Sequence, residues 1–307
     1  MNFTTIYDTI IVQLFYICVQ SFQKGEIMRT DSKHYAKASG VFRNEAEQVR
    51  AFLYTDYEYP RHHHDFYEIN IIFSGYGTHH IENTSFSVKA GDVFIIPPET
   101  VHAYDNSKNL DVFHLVLKEH FIAENKEEAC KVDGFLQFTE IEPFLRCNFP
   151  EAMFLHLTQK QLTLLKNDLM IIDDNSEFCT INPLKEHTAW KILYWFSKLL
   201  SKQLKEPKTE KSTKYEQPVM QALEYIHQNY SEKITIKDLC DKFFLSRSTF
   251  LRNFNEICQC SPTEYLLNYR KNKALKMLEE KKLSKTEIAH LCGFYDLSHM
   301  ERIIKKD

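Results

Sequence analysis

The sequence predicts an α+β fold: a small β-barrel followed by helices, then an all-helical domain built from two helix-turn-helix units. Three observations predict it. Between about Val41 and Leu117, short runs rich in Val, Ile, Phe and Tyr alternate with turn residues. Past Lys118 the apolar residues recur at spacings of three and four, as on one face of a helix. From Ile236 to Lys306 one amphipathic pattern is written twice, about fifty positions apart. With 307 residues, 43% of them hydrophobic and 26% charged, the chain is long enough for two domains with cores of their own. The expected division is an N-terminal extension at 1–27, the barrel at 28–120, a helical region at 121–200, a linker at 201–217 and the helical domain at 218–307.

Taken in order, Thr9 to Val19 is apolar but about eleven residues long and interrupted by Gln13. A membrane span needs about 20, and a secretory signal needs a basic start and a small-residue cleavage site that are missing here. A cytoplasmic protein with no membrane partner is expected. Domain-like text begins after Met28, so residues 1–27 read as an upstream extension, with a packed N-terminal helix as the competing reading. The eight cysteines form no Cys-x-x-Cys pair and several occupy apolar helical positions, which favours buried free thiols over disulfides or zinc.

The β-rich runs are Ala51 to Tyr54, Phe66 to Phe73, Gly77 to Ile81, Phe86 to Val88, Asp92 to Ile96 and Val112 to Leu117, with Ser74-Gly75, Glu82-Asn83 and Ala90-Gly91 as turns. His62-x-His64-x3-Glu68-x6-Gly75, followed by Gly91-x5-Pro97-x4-His102-x3-Asn106, resembles both signature motifs of the cupin jelly roll, Glu99 being the one departure. Histidines two apart on a strand share a face, Glu68 falls on that face, and His102 arrives from a neighbouring strand. Three imidazoles and a carboxylate so placed suit either a divalent metal or hydrogen bonds to each other and to a polar ligand. His62, His64, Glu68 and His102 are assigned to a ligand, with no metal and no cofactor. A metal-dependent cupin enzyme is the alternative. His63, His79 and His80 are expected on the outer face or in a turn.

Glu142 to Leu145, Thr158 to Ile172 and Pro183 to Leu204 read as helices, the last carrying Trp190, Leu193, Tyr194, Phe196, Leu199 and Leu200. So wide a stripe needs a partner, either a second copy of the chain or the barrel itself. Ser201 to Gln217, with Pro, Ser, Thr and mixed charge, reads as a linker. Residues 217–307 then hold 15 Lys and Arg against 12 Asp and Glu, whereas residues 1–200 hold 18 against 27, so the basic side is the one suited to phosphate. In each helix-turn-helix the second helix faces the major groove, and the exposed residues between its core positions read bases. Those are Arg247, Ser248 and Arg252 in the first unit and Leu297, Ser298, His299 and Arg302 in the second. Thr263 to Glu280 between them is a helical strut of about 27 Å, enough to set two readers roughly one DNA turn apart.

Arg270-x3-Ala274-x3-Leu278 and Ile288-Ala289-x3-Gly293-Phe294-x-Asp296-x-Ser298-x3-Arg302-x2-Lys305-Lys306 resemble the AraC/XylS-type transcriptional regulators. The resemblance implies a ligand-gated regulator of transcription rather than an enzyme. Its implied partners are double-stranded DNA, a small-molecule effector with a carbohydrate among the candidates, a second copy of the chain, and RNA polymerase. Its implied base-facing residues fall on Ser248, Arg252, Leu297, Ser298 and Arg302. Cys260 departs from the usual glycine, and Met300 and Ile304 from the usual aromatics. The family's closing glycine, Ser/Thr-Pro step and last helix have no counterpart before Asp307, so a C-terminal truncation is expected, with a DNA-incompetent dimer as a further alternative.

Overall fold

A computed structural model describes residues 30–31, 35–148, 154–172, 182–205 and 213–305. The N-terminal extension, Cys18, Cys179 and residues 206–212 of the expected linker lie outside the described residues, while 201–205 and 213–217, expected as linker, are helical. The chain forms two compact units, one of Met1–Phe135 with Arg146–Lys198, the other of Leu136–Leu145 with Leu199–Asp307.

The first unit is organised by strands β1 (Thr30–Asp31), β2 (Tyr35–Ala36), β3 (Val49–Tyr54), β4 (Tyr59–His64), β5 (Phe66–Ile81), β6 (Thr84–Lys89), β7 (Asp92–Ile96), β8 (His102–Lys118) and β9 (Leu155–His156). The long antiparallel partners β5 and β8 carry the rest. Their outer halves, Phe66–Ile72 against Val112–Lys118, are flanked by β3 and β7, while Thr78–Ile81 against His102–Asp105 is flanked by β4 and β6. Two expected runs are therefore one strand. Ser74-Gly75 does not reverse the chain: the register shifts between Ile72 and Thr78, a bulge that bends a strand and increases its twist. Gly75 sits at φ +73°, and a Cβ there would lie 2.0 Å from the Asn109 carbonyl oxygen, so only glycine fits.

The bulge also changes which residues face inward. Ile72 before it and Ile81 after it belong to the same core cluster with Phe94, Tyr104 and Val112, so even positions on one side of the bend and odd positions on the other share one interior. Helices α1 (Ala38–Val41), α2 (Glu119–Glu124) and α3 (Lys126–Ala129) precede a π-helical turn at Gln137–Ile141 that runs into α4 (Glu142–Asn148); α5 (Gln159–Ile172) and α6 (Asn182–Lys205) follow. Part of the bulky α6 stripe finds partners within its own unit. Trp190 stacks on Phe121 at 4.9 Å and lies 6.2 Å from the Phe135 ring.

The second unit contains α7 (Thr213–Asn229), α8 (Ile236–Lys242), α9 (Arg247–Cys258), α10 (Pro262–Glu280), α11 (Lys285–Leu291) and α12 (Leu297–Ile304). Its helix starts are written in the sequence. Thr235 with Asp238 and Ser284 with Glu287 form capping boxes, and Ser246, Ser261 and Asp296 cap α9, α10 and α12. The pairs α8–α9 and α11–α12 are the two helix-turn-helix units. Their turns differ by one residue: Leu245 N–H donates to Cys240 O and Phe294 N–H to Ala289 O, yet Ser246 starts the next helix in one and Asp296, one position later, in the other. Tyr295 is the extra residue. Residues 136–145 complete this unit from elsewhere in the sequence. Tyr269 OH donates to Glu140 Oε2 at 2.6 Å, His227 Nδ1 lies 3.4 Å from the same oxygen, and Phe144 stands edge-on to Tyr265.

Phe244 and Gly293 occupy equivalent turn positions at φ +54° and +74°. Phe244 is 94% exposed, so its ring gains little from burial while its Cβ strains the left-handed backbone. Phe244→Gly should raise the stability of the second unit by about 0.5–1 kcal/mol, read from urea melts of the full chain; a loss of stability would show that the ring packs.

Candidate functional site

The interior of the barrel holds a cluster of buried polar side chains around one carboxylate. Glu68 is fully buried on β5 and accepts three imidazole contacts: His114 Nδ1 at 2.6 Å on Oε1, and His102 Nε2 at 3.0 Å and His64 Nε2 at 3.3 Å on Oε2. His62 and His64 stand on β4, where the chain turns at Asp65 before β5 begins, so the two histidines and Glu68 lie not on one strand but on two that both pair with β8. His62 faces His102 directly across the β4–β8 pair, with ring centroids 4.1 Å apart. All four residues assigned from the sequence thus meet in one place.

Three residues there were not foreseen. His79, expected outside, is fully buried, its ring stacked on Tyr104 at 4.0 Å, because the Gly75 bulge turns the odd positions of β5 inward. Neither of its ring nitrogens has a hydrogen-bond partner. His114 was passed over because Val112 to Leu117 reads as a plain apolar strand; it stacks on Phe52 at 5.5 Å and grips Glu68. Asn70 donates to the Tyr104 hydroxyl at 3.2 Å. His63, by contrast, is outside as expected, bonded to Glu99 at 2.9 Å.

Burial sets the charges. It pushes the His62 imidazole down to about 3, with His102 adding to the effect, and lowers His102 and His79 as well, although Glu68 pulls all three the other way. Burial raises the Glu68 carboxyl, but His114 and the hydrogen bonds from His102, His114 and His64 outweigh it and hold the group well below the usual carboxylate range. Burial thus favours the uncharged form of His62, His79 and His102, while the imidazole contacts favour the charged form of Glu68. His62, Glu68 and His102 present ligand atoms within 4.8 Å of one another and could hold a metal ion.

On the second unit, Arg247, Ser248 and Arg252 of α9 and Ser298 and Arg302 of α12 are exposed. Leu297 is half-buried against the core of Ala274, Ile288 and Met300. His299 is half-buried too: its Nδ1 accepts the Tyr295 N–H at 3.3 Å and its ring meets Phe294 edge-on. With Nδ1 accepting there, Nε2 is the ring atom left to donate. Tyr295, missed in the sequence, is 92% exposed beside Asp296, Ser298, His299 and Arg302 in one open groove of about 450 Å³. No helix among the described residues is long and apolar enough to cross a membrane.

Comparison with known proteins agrees with this division. Residues 49–141 match the AraC-like ligand binding domain and residues 239–306 a helix-turn-helix domain. The chain is similar to the HTH-type transcriptional activator RhaS of Yersinia pestis (strain Pestoides F), 24% identical over 251 residues that make up 81% of this chain and 86% of RhaS. RhaS of Yersinia pseudotuberculosis serotype O:3 matches to the same extent. Among solved structures, ToxT of Vibrio cholerae is 11% identical, covers 84% of this chain and 94% of its own, and gives a TM-score of 0.35. The DNA-binding domain of AdpA in complex with a target DNA is 23% identical over 29% of this chain and 81% of its own, with a TM-score of 0.29.

His79→Phe separates a structural ring from a ligand contact. Replacing a buried, unpartnered imidazole by an apolar ring removes a desolvation cost of about 1–3 kcal/mol against a modest repacking cost. The variant should melt at or above the temperature of the parent, by calorimetry, and a loss beyond 1 kcal/mol would mean that the ring nitrogens serve a partner.

Proposed function

Because the chain belongs to the AraC-type transcription regulators, with sensor and helix-turn-helix matches in family order, we propose that it reads duplex DNA through Arg247, Ser248 and Arg252 on α9 and Leu297, Ser298, His299 and Arg302 on α12. Tyr295 extends the second surface. An effector held in the barrel by His62, His64, Glu68 and His102 controls the reading. The observation that carries this is the pairing of two capped helix-turn-helix units, exposed at corresponding positions, with a buried polar cluster in the other unit.

The chain acts as a regulator rather than an enzyme, in the cytoplasm, and binds as a homodimer. The half-exposed part of α6, together with Leu164 and Leu184, which are 58% and 43% exposed, supplies apolar surface for the second copy. RhaS is named as an activator, and activation through RNA polymerase is the corresponding reading here. The effector is a small polar ligand, a carbohydrate being one chemistry that imidazoles and a carboxylate can hydrogen-bond.

Fluorescence anisotropy of the full chain on DNA from upstream of its own gene, across salt concentrations, tests the reading. Affinity should fall steeply with salt and survive competitor DNA. Arg252→Ala should cost about 1–3 kcal/mol and relax preference at one base position. Affinity that ignores salt, or competes away fully, would sink the proposal.

A further inference from the structure

The boundary between the two units falls inside a helix. Residues up to Leu145 belong with the helical unit and those from Arg146 with the barrel, yet Glu142–Asn148 is the single helix α4. On the barrel side, Arg146 is 1% exposed. Its guanidinium donates to the Ile95 carbonyl of β7 at 2.6 Å and lies over the Phe94 ring at 5.3 Å, while its own carbonyl accepts from the Thr84 hydroxyl at 3.3 Å. A buried guanidinium held in this way cannot slip without losing hydrogen bonds that water does not replace. The strand that it grips borders the polar interior. Phe94 stands edge-on to His79 at 4.8 Å, and Ile96 pairs across the sheet with Glu68.

On the other side, Glu140 and Phe144 meet the same two side chains. Glu140 Oε2 takes the Tyr269 hydroxyl at 2.6 Å and lies 3.4 Å from His227 Nδ1, and the Phe144 ring lies 5.9 Å from that of Tyr269 and 6.3 Å from that of His227. Phe144 also touches Tyr265, at 4.9 Å, and from there a column of rings runs through Phe254 at 5.7 Å to Phe250 at 5.6 Å. Tyr265, Phe254 and Phe250 are fully buried, and the two phenylalanines are the core positions of α9 on either side of Arg252. Close-packed rings pass a displacement on rather than absorb it. The second recognition helix rests elsewhere. Met300 of α12 sits in a core of Ala274, Ile288, Ala289, Cys292 and Phe294 that contains none of these rings.

We propose that α4 is the element through which the barrel positions the first recognition helix and not the second. Arg146 holds it to β7, Glu140 and Phe144 hold it to α7 and α10, and a shift of β7 reaches Arg252 through the ring column. These three are positioning residues for the DNA reading proposed above, on which the inference rests. Two readouts on the full chain separate the link from that reading. In hydrogen exchange followed by mass spectrometry, Arg146→Lys, a change at the barrel end alone, should speed exchange of the α9 amides about threefold or more and leave those of α12 as in the parent. In anisotropy on DNA from upstream of its own gene, scanned by base-pair substitution, Arg252→Ala and Arg302→Ala mark the positions that α9 and α12 read. Arg146→Lys should flatten the preference at the first set about threefold or more and spare the second. Glu140→Gln should do the same from the other end. Because Arg146 is buried, Thr84→Val, at a half-buried residue, loosens the barrel end with less risk to folding and should give the same pattern at smaller amplitude; circular dichroism checks each fold. Equal changes in α9 and α12, or no change in either with folded variants, overturn the proposal. If the parent binds DNA without sequence preference, the regulator reading falls, and the exchange pattern alone decides the link: confined to α9 it upholds it, shared or absent it overturns it.

Discussion

A carboxylate with no access to water is the constraint around which the barrel is built. Burying a charge is costly unless hydrogen bonds or an opposite charge replace the lost hydration. Glu68 is replaced in this way by ring nitrogens from three directions: His64 on β4, and His102 and His114 on the two halves of β8. One strand can reach the carboxylate at both ends only if it bends, and the register shifts along β5 and β8 supply the bend. The Gly75 bulge is therefore tied to the chemistry of the interior as well as to the shape of the sheet. Take away the bend, and His102 and His114 would be separated along a straight strand of seventeen residues by too great a distance to share one carboxylate.

A second carboxylate, half-buried, organises the helical unit in a related way. Glu140 brings the segment 136–145 against Tyr269 and His227, and His227 passes the interaction on to the Tyr265 hydroxyl at 2.7 Å. Tyr265 and Tyr269 both stay protonated, since burial pushes their phenols far up and Glu140 adds to the effect. They are donors. Arg270, next along α10, donates to the carbonyls of Tyr230 and Glu232 at 2.6 and 2.7 Å, and Gly293 packs so close that a Cβ would lie 2.5 Å from Ser231 O. One helix thus ties the turn after α7 to the turn before α12.

The parts legible in the sequence were those with local signals. Capping residues and the spacing of His62, His64 and Glu68 depend on neighbours within a few positions, and the motif around His102 and each copy of the repeat in α8–α9 and α11–α12 are local strings, so reading along the chain finds them. What failed depended on register. Ser74-Gly75 looks like a turn because glycine at positive φ serves turns and bulges alike, and only pairing with Asn109 and Asp111 decides between them. That single ambiguity hid His79, whose facing reverses across the bulge. His114 was hidden by its apolar neighbours. Nothing in the pattern of residues 136–145 marks them as part of a unit formed mainly by residues after 199, because that membership is written in Tyr269 and His227, far along the chain.

The repeat in the helical unit is closer in its framework than in its surface. Phe250 and Met300 are both fully buried at the same step of their helices, and the N-caps Ser246 and Asp296 keep the same spacing to them. Ahead of the cap, Tyr295 adds one residue to the second turn, and its backbone N–H orients His299. Arg247 and Arg252 on α9 are exposed long side chains that pay their ordering entropy on contact with a partner, while the Ser248 hydroxyl already lies 3.2 Å from that of Ser246. On α12, Leu297 is already packed and His299 already aimed. Arg302 is the exposed long side chain left to adjust there, so the second helix presents a more preformed surface than the first.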